Sequence, residues 1–162
     1  LVVHKSKVAL IAMPKNHLLL LTASVLVLAG CAPVVPLEPA EQANDAACAE
    51  IIVRLPDELA GLPERRVNAQ STAAWGEPAA VILRCGLEPV EVSSLVCVTA
   101  SDIDWLLDES EAPNYRFITF ARFPATEVIV DSTVVAGVTV LEELAASIGV
   151  LDATKRCTDV TN

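Results

Sequence analysis

From Leu18 to Leu28 the chain is apolar at every position except Thr22 and Ser24. Beyond Cys31 the apolar residues become periodic, and the period changes along the chain. Cys48, Ile51, Ile52 and Leu55 fall at i, i+3, i+4 and i+7, which predicts a short helix capped by Asn44 or Asp45 and stopped by Pro56. After Gly61 and Pro63, Arg65–Gln70 reads as a polar edge strand. Trp75-Gly76-Glu77-Pro78 is a turn, and Ala79–Cys85 is apolar on both faces, as a central strand is. Gly86 and Pro89 end it, and Val90–Thr99 alternates as a return strand. Ser101–Trp105 leads into an acidic loop, Asp108-Glu109-Ser110-Glu111. Tyr115–Phe123 and Thr126–Asp131 read as strands joined at Pro124-Ala125, with Arg122 opposite Glu127 if the turn is tight. Thr139 and Glu142 fit a capping box for a last helix with Leu141, Leu144, Ala145 and Ile148 on one face and Gly149 as its stop. The order predicts an α+β domain: a small, mostly antiparallel sheet of four or five strands, two helices on one face, stapled by disulfides.

The apolar run is too short to span a bilayer, which takes roughly 20 apolar residues. Met13-Pro14-Lys15-Asn16-His17 in front of it supplies the polar, positively charged lead of a signal peptide. Leu28-Ala29-Gly30-Cys31 then resembles the lipobox of bacterial lipoproteins. By that resemblance Cys31 is diacylated and becomes the first residue of the mature chain. The chain opens Leu1-Val2-Val3 without methionine, so residues 1–12 read as an upstream extension before a start at Met13. Residues 13–30 are then the lipoprotein signal peptide, 31–44 a tether carrying Pro33, Pro36 and Pro39, and 45–162 the single α+β domain.

Charge narrows the partners. All 21 acidic residues follow Cys31, against eight basic ones, giving about −13 for that part of the chain. Such a domain has no attraction to nucleic acid. The expected partners are the membrane, through diacylglyceryl Cys31, and an unknown envelope protein or small ligand. The address is the cell membrane, on the extracytoplasmic side. Both histidines, His4 and His17, precede Cys31. That removes histidine triads, imidazole zinc sites and the usual near-neutral general base. No catalytic residue, metal site or cofactor is predicted.

Cys48, Cys85, Cys97 and Cys157 remain after Cys31, and an even count in an exported domain predicts two disulfides. If Val90–Thr99 returns beside Ala79–Cys85, Cys85 pairs with Cys97. Cys48 and Cys157 then tie the two ends of the domain together. Five residues are candidates for binding. Arg84 and Arg122 are charges inside apolar strands, which suits an anion or a cross-strand partner. Asp104 belongs to the acidic stretch from Asp102 to Glu111, which lacks the glycine of a calcium loop. Trp75 and Trp105 either line a groove or fill the core. The function expected first is a non-catalytic binding or scaffolding module of an envelope lipoprotein on the outer face of the cytoplasmic membrane; a small-ligand or lipid carrier is the alternative, and a carboxylate enzyme using Asp104 with Glu127 a third.

Three stretches carry a family resemblance: Ala73-Ala74-Trp75-Gly76-Glu77-Pro78 running into Val81-Ile82-Leu83-Arg84-Cys85-Gly86, then Ile103-Asp104-Trp105, then Thr119 to Val128. They resemble an actinobacterial family of predicted secreted proteins and lipoproteins, domain of unknown function 3515. The family pattern would put Asn-Gly where this chain has Ser101-Asp102, and glycine at Ala121. The resemblance implies location and fold, and supplies no activity or catalytic residues.

Overall fold

The computed structural model describes residues 33–157. The extension 1–12, the signal peptide 13–30 and Cys31 lie outside the described residues. Among the described residues, no helix is long and apolar enough to cross a membrane.

The elements in chain order are α1 (Ala46–Ile52), β1 (Glu58–Leu59), β2 (Leu62–Arg65), β3 (Thr72–Trp75), β4 (Val81–Leu87), β5 (Val96–Ala100), β6 (Ile103–Asp108), β7 (Asn114–Thr119), β8 (Ala125–Asp131) and α2 (Gly137–Ile148). The strands form one eight-stranded sheet in the order β1-β2-β3-β4-β8-β7-β6-β5. Every neighbouring pair is antiparallel. The chain thus makes two meanders of four strands, joined where β4 meets β8. This corrects the expected α+β fold built on a sheet of four or five strands. The described residues are mostly β, with two short helices.

Local chemistry explains most elements. β1–β2 and β5–β6 close through two-residue turns, Ala60-Gly61 with φ of 51° and 77° and Ser101-Asp102 with φ of 46° and 65°. Paired left-handed residues match the twist of the strands they join. The Asp45 carboxylate accepts from Ala47 N and starts α1. α2 starts earlier than the capping-box reading, at Gly137, with Ala136 as N-cap and no side-chain cap, so Thr139 lies inside the helix.

One face of the sheet carries the main core. Trp75, Val81, Leu83, Trp105, Phe117 and Val128 pack there against Cys48 and Ile51 of α1 and Leu141, Leu144 and Ile148 of α2. Each large aliphatic chain buried there is worth about 1.5–3 kcal/mol, so this layer dominates stability. The opposite face has only a small cluster, Leu106, Ile118 and Ala125, with Leu87, Val90, Leu95 and Phe120 packed on it. Along β4 the alternation is explicit: Val81, Leu83 and Cys85 are buried, while Ile82 and Arg84 are half-buried on this second face.

Other expectations shift. The polar edge strand moves from 65–70 to Leu62–Arg65, and the return strand shortens to Val96–Ala100. Asp108, expected in a loop, ends a strand that begins at Ile103. Residues 33–44, expected as a tether, are tied to the domain. Val35 N donates to Arg66 O, Leu37 N to Asn68 Oδ1 and Gln42 N to Gly86 O.

The two disulfides are Cys48–Cys85 and Cys97–Cys157, with Cα separations of 5.6 and 6.4 Å. This corrects the pairing Cys85–Cys97 and Cys48–Cys157. Three strands, β8, β7 and β6, stand between β4 and β5. Cys85 also belongs to the helix-covered core, while Cys97 packs with the small cluster opposite. Cys85 therefore meets the helix residue Cys48, and the tail brings Cys157 to Cys97.

Candidate functional site

Three charged side chains meet on the less covered face, where the two meanders join. Arg84 on β4 and Glu127 on β8 are directly paired, and Arg116 on β7 lies diagonally across, next to Glu127's partner Ile118. Period-two alternation puts all three on the face opposite the helices. Arg84 Nε donates to Glu127 Oε1 at 2.5 Å, and Arg116 Nε donates to Oε2. The Glu127 side chain is 1% exposed, against 34% for Arg84 and 36% for Arg116.

Burying a lone carboxylate costs several kcal/mol, so Glu127 is stable there only because charge-assisted bonds reach both oxygens. The clamp works in both directions. It holds Glu127 in place, and it fixes two guanidinium groups whose charge Glu127 only half neutralises. Among the described residues, the terminal nitrogens of Arg116 have no hydrogen-bond partner.

Recesses flank the clamp. One of about 260 Å³ is lined by Asp108, Ser110, Glu111, Asn114, Arg116 and Ile129. A second, of about 150 Å³, lies between Leu37, Ile82, Arg84, Glu127 and Ile129. Asp108 accepts from Ser110 N at 3.0 Å, and the hydrogen bonds from Ser110 hold its carboxyl below the usual range.

The remaining candidates sit elsewhere. Trp75 and Trp105 are wholly buried in the helix-side core, so neither lines a groove. Trp75 Nε1 donates to Pro56 O. Asp104 is buried and accepts from Thr99 Oγ1 at 2.7 Å and Cys157 N at 2.8 Å, with Arg156 Nε at 3.4 Å. One of its oxygens lies within 4.8 Å of the sulfurs of Cys97 and Cys157, but those sulfurs form a cystine and are not free thiolates. Arg122 is not the partner of Glu127. It lies buried in the turn after β7, bridged to Ala153 of the tail. Burial, and then the neighbouring Arg156, lower its pKa, while Asp104 and Asp152 oppose the shift. Asp104 and Arg122 thus belong to the seat of the C-terminal tail.

Arg116 was not singled out by the sequence reading. The signal was present: it stands between Tyr115 and Phe117 in an apolar strand, as Arg84 stands between Leu83 and Cys85.

The sequence pattern of one family, described as a protein of unknown function (DUF3515), matches residues 17–156. The chain belongs to the DUF3515 family. The match runs through both meanders and takes in Arg84, Arg116 and Glu127 of this DUF3515 domain. No curated protein and no solved structure gives a significant match.

Proposed function

We propose that this DUF3515 chain is an exported lipoprotein, anchored through diacylglyceryl Cys31, whose domain is a non-catalytic binding module on the outer face of the cytoplasmic membrane. The binding surface is the less covered sheet face around Arg84, Glu127 and Arg116. The observation that carries this reading is the clamp itself: two fixed, one-third-exposed guanidinium groups share one buried carboxylate between surface recesses. Export is supported by the pairing of Cys48, Cys85, Cys97 and Cys157 into cystines, which persist in oxidising compartments. A non-catalytic role is supported by the fixed bonds of the two carboxylates a hydrolase would need, Asp104 and Glu127. A surface binder fits better than a lipid carrier because Trp75, Trp105, Leu83, Leu141 and Leu144 fill the space between sheet and helices.

Membrane fractionation tests the anchor. Cys31→Ser is expected to leave the chain unprocessed or move it out of the membrane fraction. A Cys31→Ser chain that is processed normally and still partitions into detergent overturns the lipoprotein reading.

A further inference from the structure

Asp108 on β6, Arg116 on β7 and Ile129 on β8 are successive direct partners across three strands. They form a row of acid, base and apolar residue on one face, with strands about 4.8 Å apart. Opposite charges in directly paired positions have their Cβ atoms about 5 Å apart and ordinarily join. Asp108 and Arg116 do not. Asp108 is turned to Ser110 N, Arg116 Nε is bound to Glu127, and no ion pair closes between them. Both groups instead line the same recess of about 260 Å³, with Ile129 beside them and Glu111 at the loop.

Each simple ligand fails against that lining. A plain anion meets Asp108 and Glu111 on a chain of strongly negative charge. A plain cation meets the guanidinium of Arg116. A molecule carrying both charges satisfies both groups at once, and Ile129 gives its side chain an apolar contact. We infer that this recess binds a small zwitterion, an α-amino acid with an apolar side chain, its carboxylate on the free terminal nitrogens of Arg116 and its ammonium on Asp108 and Glu111. The inference rests on the reading of the domain as a binding module and names the ligand class of that face.

The test titrates the purified full chain with leucine, followed by calorimetry and amide chemical shifts. Isocaproate, which lacks the ammonium, and isoamylamine, which lacks the carboxylate, are the comparison probes. Leucine is expected to bind saturably, with shifts centred on residues 108–116 and Ile129. Each half-ligand is expected to bind at least about tenfold more weakly, the loss of one charge-assisted contact. Arg116→Gln and Asp108→Asn are each expected to weaken leucine by about tenfold or more. Arg116→Gln also removes a partner of Glu127, so Asp108→Asn, which leaves the clamp intact, is the deciding variant. Glu50→Gln, on α1, is expected to leave binding unchanged.

Isocaproate binding as tightly as leucine makes this an anion site and overturns the inference. Isoamylamine doing so makes it a cation site and overturns it equally. Absence of saturable leucine binding, or unchanged affinity in Asp108→Asn, overturns it as well. All of these outcomes are independent of the fractionation of Cys31→Ser, so the ligand class and the anchor fail separately.

Discussion

Gly86 is held in a conformation and a space that no other residue type fits. Its φ is +111°, at the irregularity between Cys85 and Leu87 in the β4–β8 ladder, and a Cβ there would lie 2.5 Å from Ala43 N. Its carbonyl also accepts from Gln42 N at 2.9 Å, so this residue seats the segment that enters the domain. Gly86→Ala must therefore push residues 42–43 away and strain its own backbone. The expected cost is about 2–4 kcal/mol, well above the ordinary loss for a surface change. Urea unfolding measures it, and limited proteolysis is expected to show earlier cutting near residues 39–43. An unchanged midpoint would mean that the entering segment is not seated on β4. The sequence marked Gly86 as a strand end, because a glycine within an apolar run looks like punctuation. Only the approach of another backbone shows that it is a bulge. Arg84 shows the same division: its place in an apolar strand was legible, but its partner was assigned to another arginine.

At the scale of elements, the turns were legible in an indirect way. The family pattern would place Asn-Gly at 101–102 and glycine at 121, and these three positions have positive φ in this chain: 46°, 65° and 52°. An L-residue pays roughly 1–2 kcal/mol for the left-handed region, and less where asparagine or aspartate stands. Asp102→Gly and Ala121→Gly are therefore each expected to stabilise the domain by about 0.5–1 kcal/mol, after the loss from a more flexible unfolded chain. The Asp102 carbonyl that accepts from Arg156 Nη1 is kept in the first variant, so the tail contact survives. Thermal melting checks both, and a fall in midpoint for Ala121→Gly would mean that its methyl contributes more by packing than its backbone costs. The helices were legible from their 3.6 period, to within a few residues at each end. β6 was not. Asp102, Asp104 and Asp108 made its neighbourhood read as an acidic loop, whereas Asp104 is buried with its oxygens satisfied by Thr99 and the Cys157 backbone. Charge density alone does not reveal that a partner 53 residues away will cover it.

At the scale of the whole molecule, what escaped the sequence is the pairing of β4 with β8. Local reasoning joins consecutive strands, and six of the seven strand pairs obey it. The exception lies at the centre, and the two disulfide pairings expected across it failed together. Once β8 sits beside β4, residues 88–95 must cross to the far edge, and Cys97 is carried away from Cys85. The two cystines then have different surroundings. Cys48 and Cys85 are wholly buried between α1 and the sheet, whereas Cys97 and Cys157 are only partly buried beside the tail. They close loops with sequence separations of 37 and 60, each worth about 4 kcal/mol in the chain-entropy model. Similar thermodynamic value with unequal access predicts an order of reduction. Under graded reductant at neutral pH, thiolate reaches the Cys97–Cys157 bridge in the folded state, while Cys48–Cys85 opens only when α1 leaves the sheet. Peptide mapping after alkylation is expected to show first the intact pair of cross-links 48–85 and 97–157, then a folded species retaining 48–85 alone. The double variant Cys97→Ala/Cys157→Ala is expected to stay folded with a looser tail, seen as faster exchange of the Cys157 replacement's neighbours at 153–156. If 48–85 is instead the first bridge to open, burial does not protect it, and the helix-side core is less tightly closed than its packing indicates.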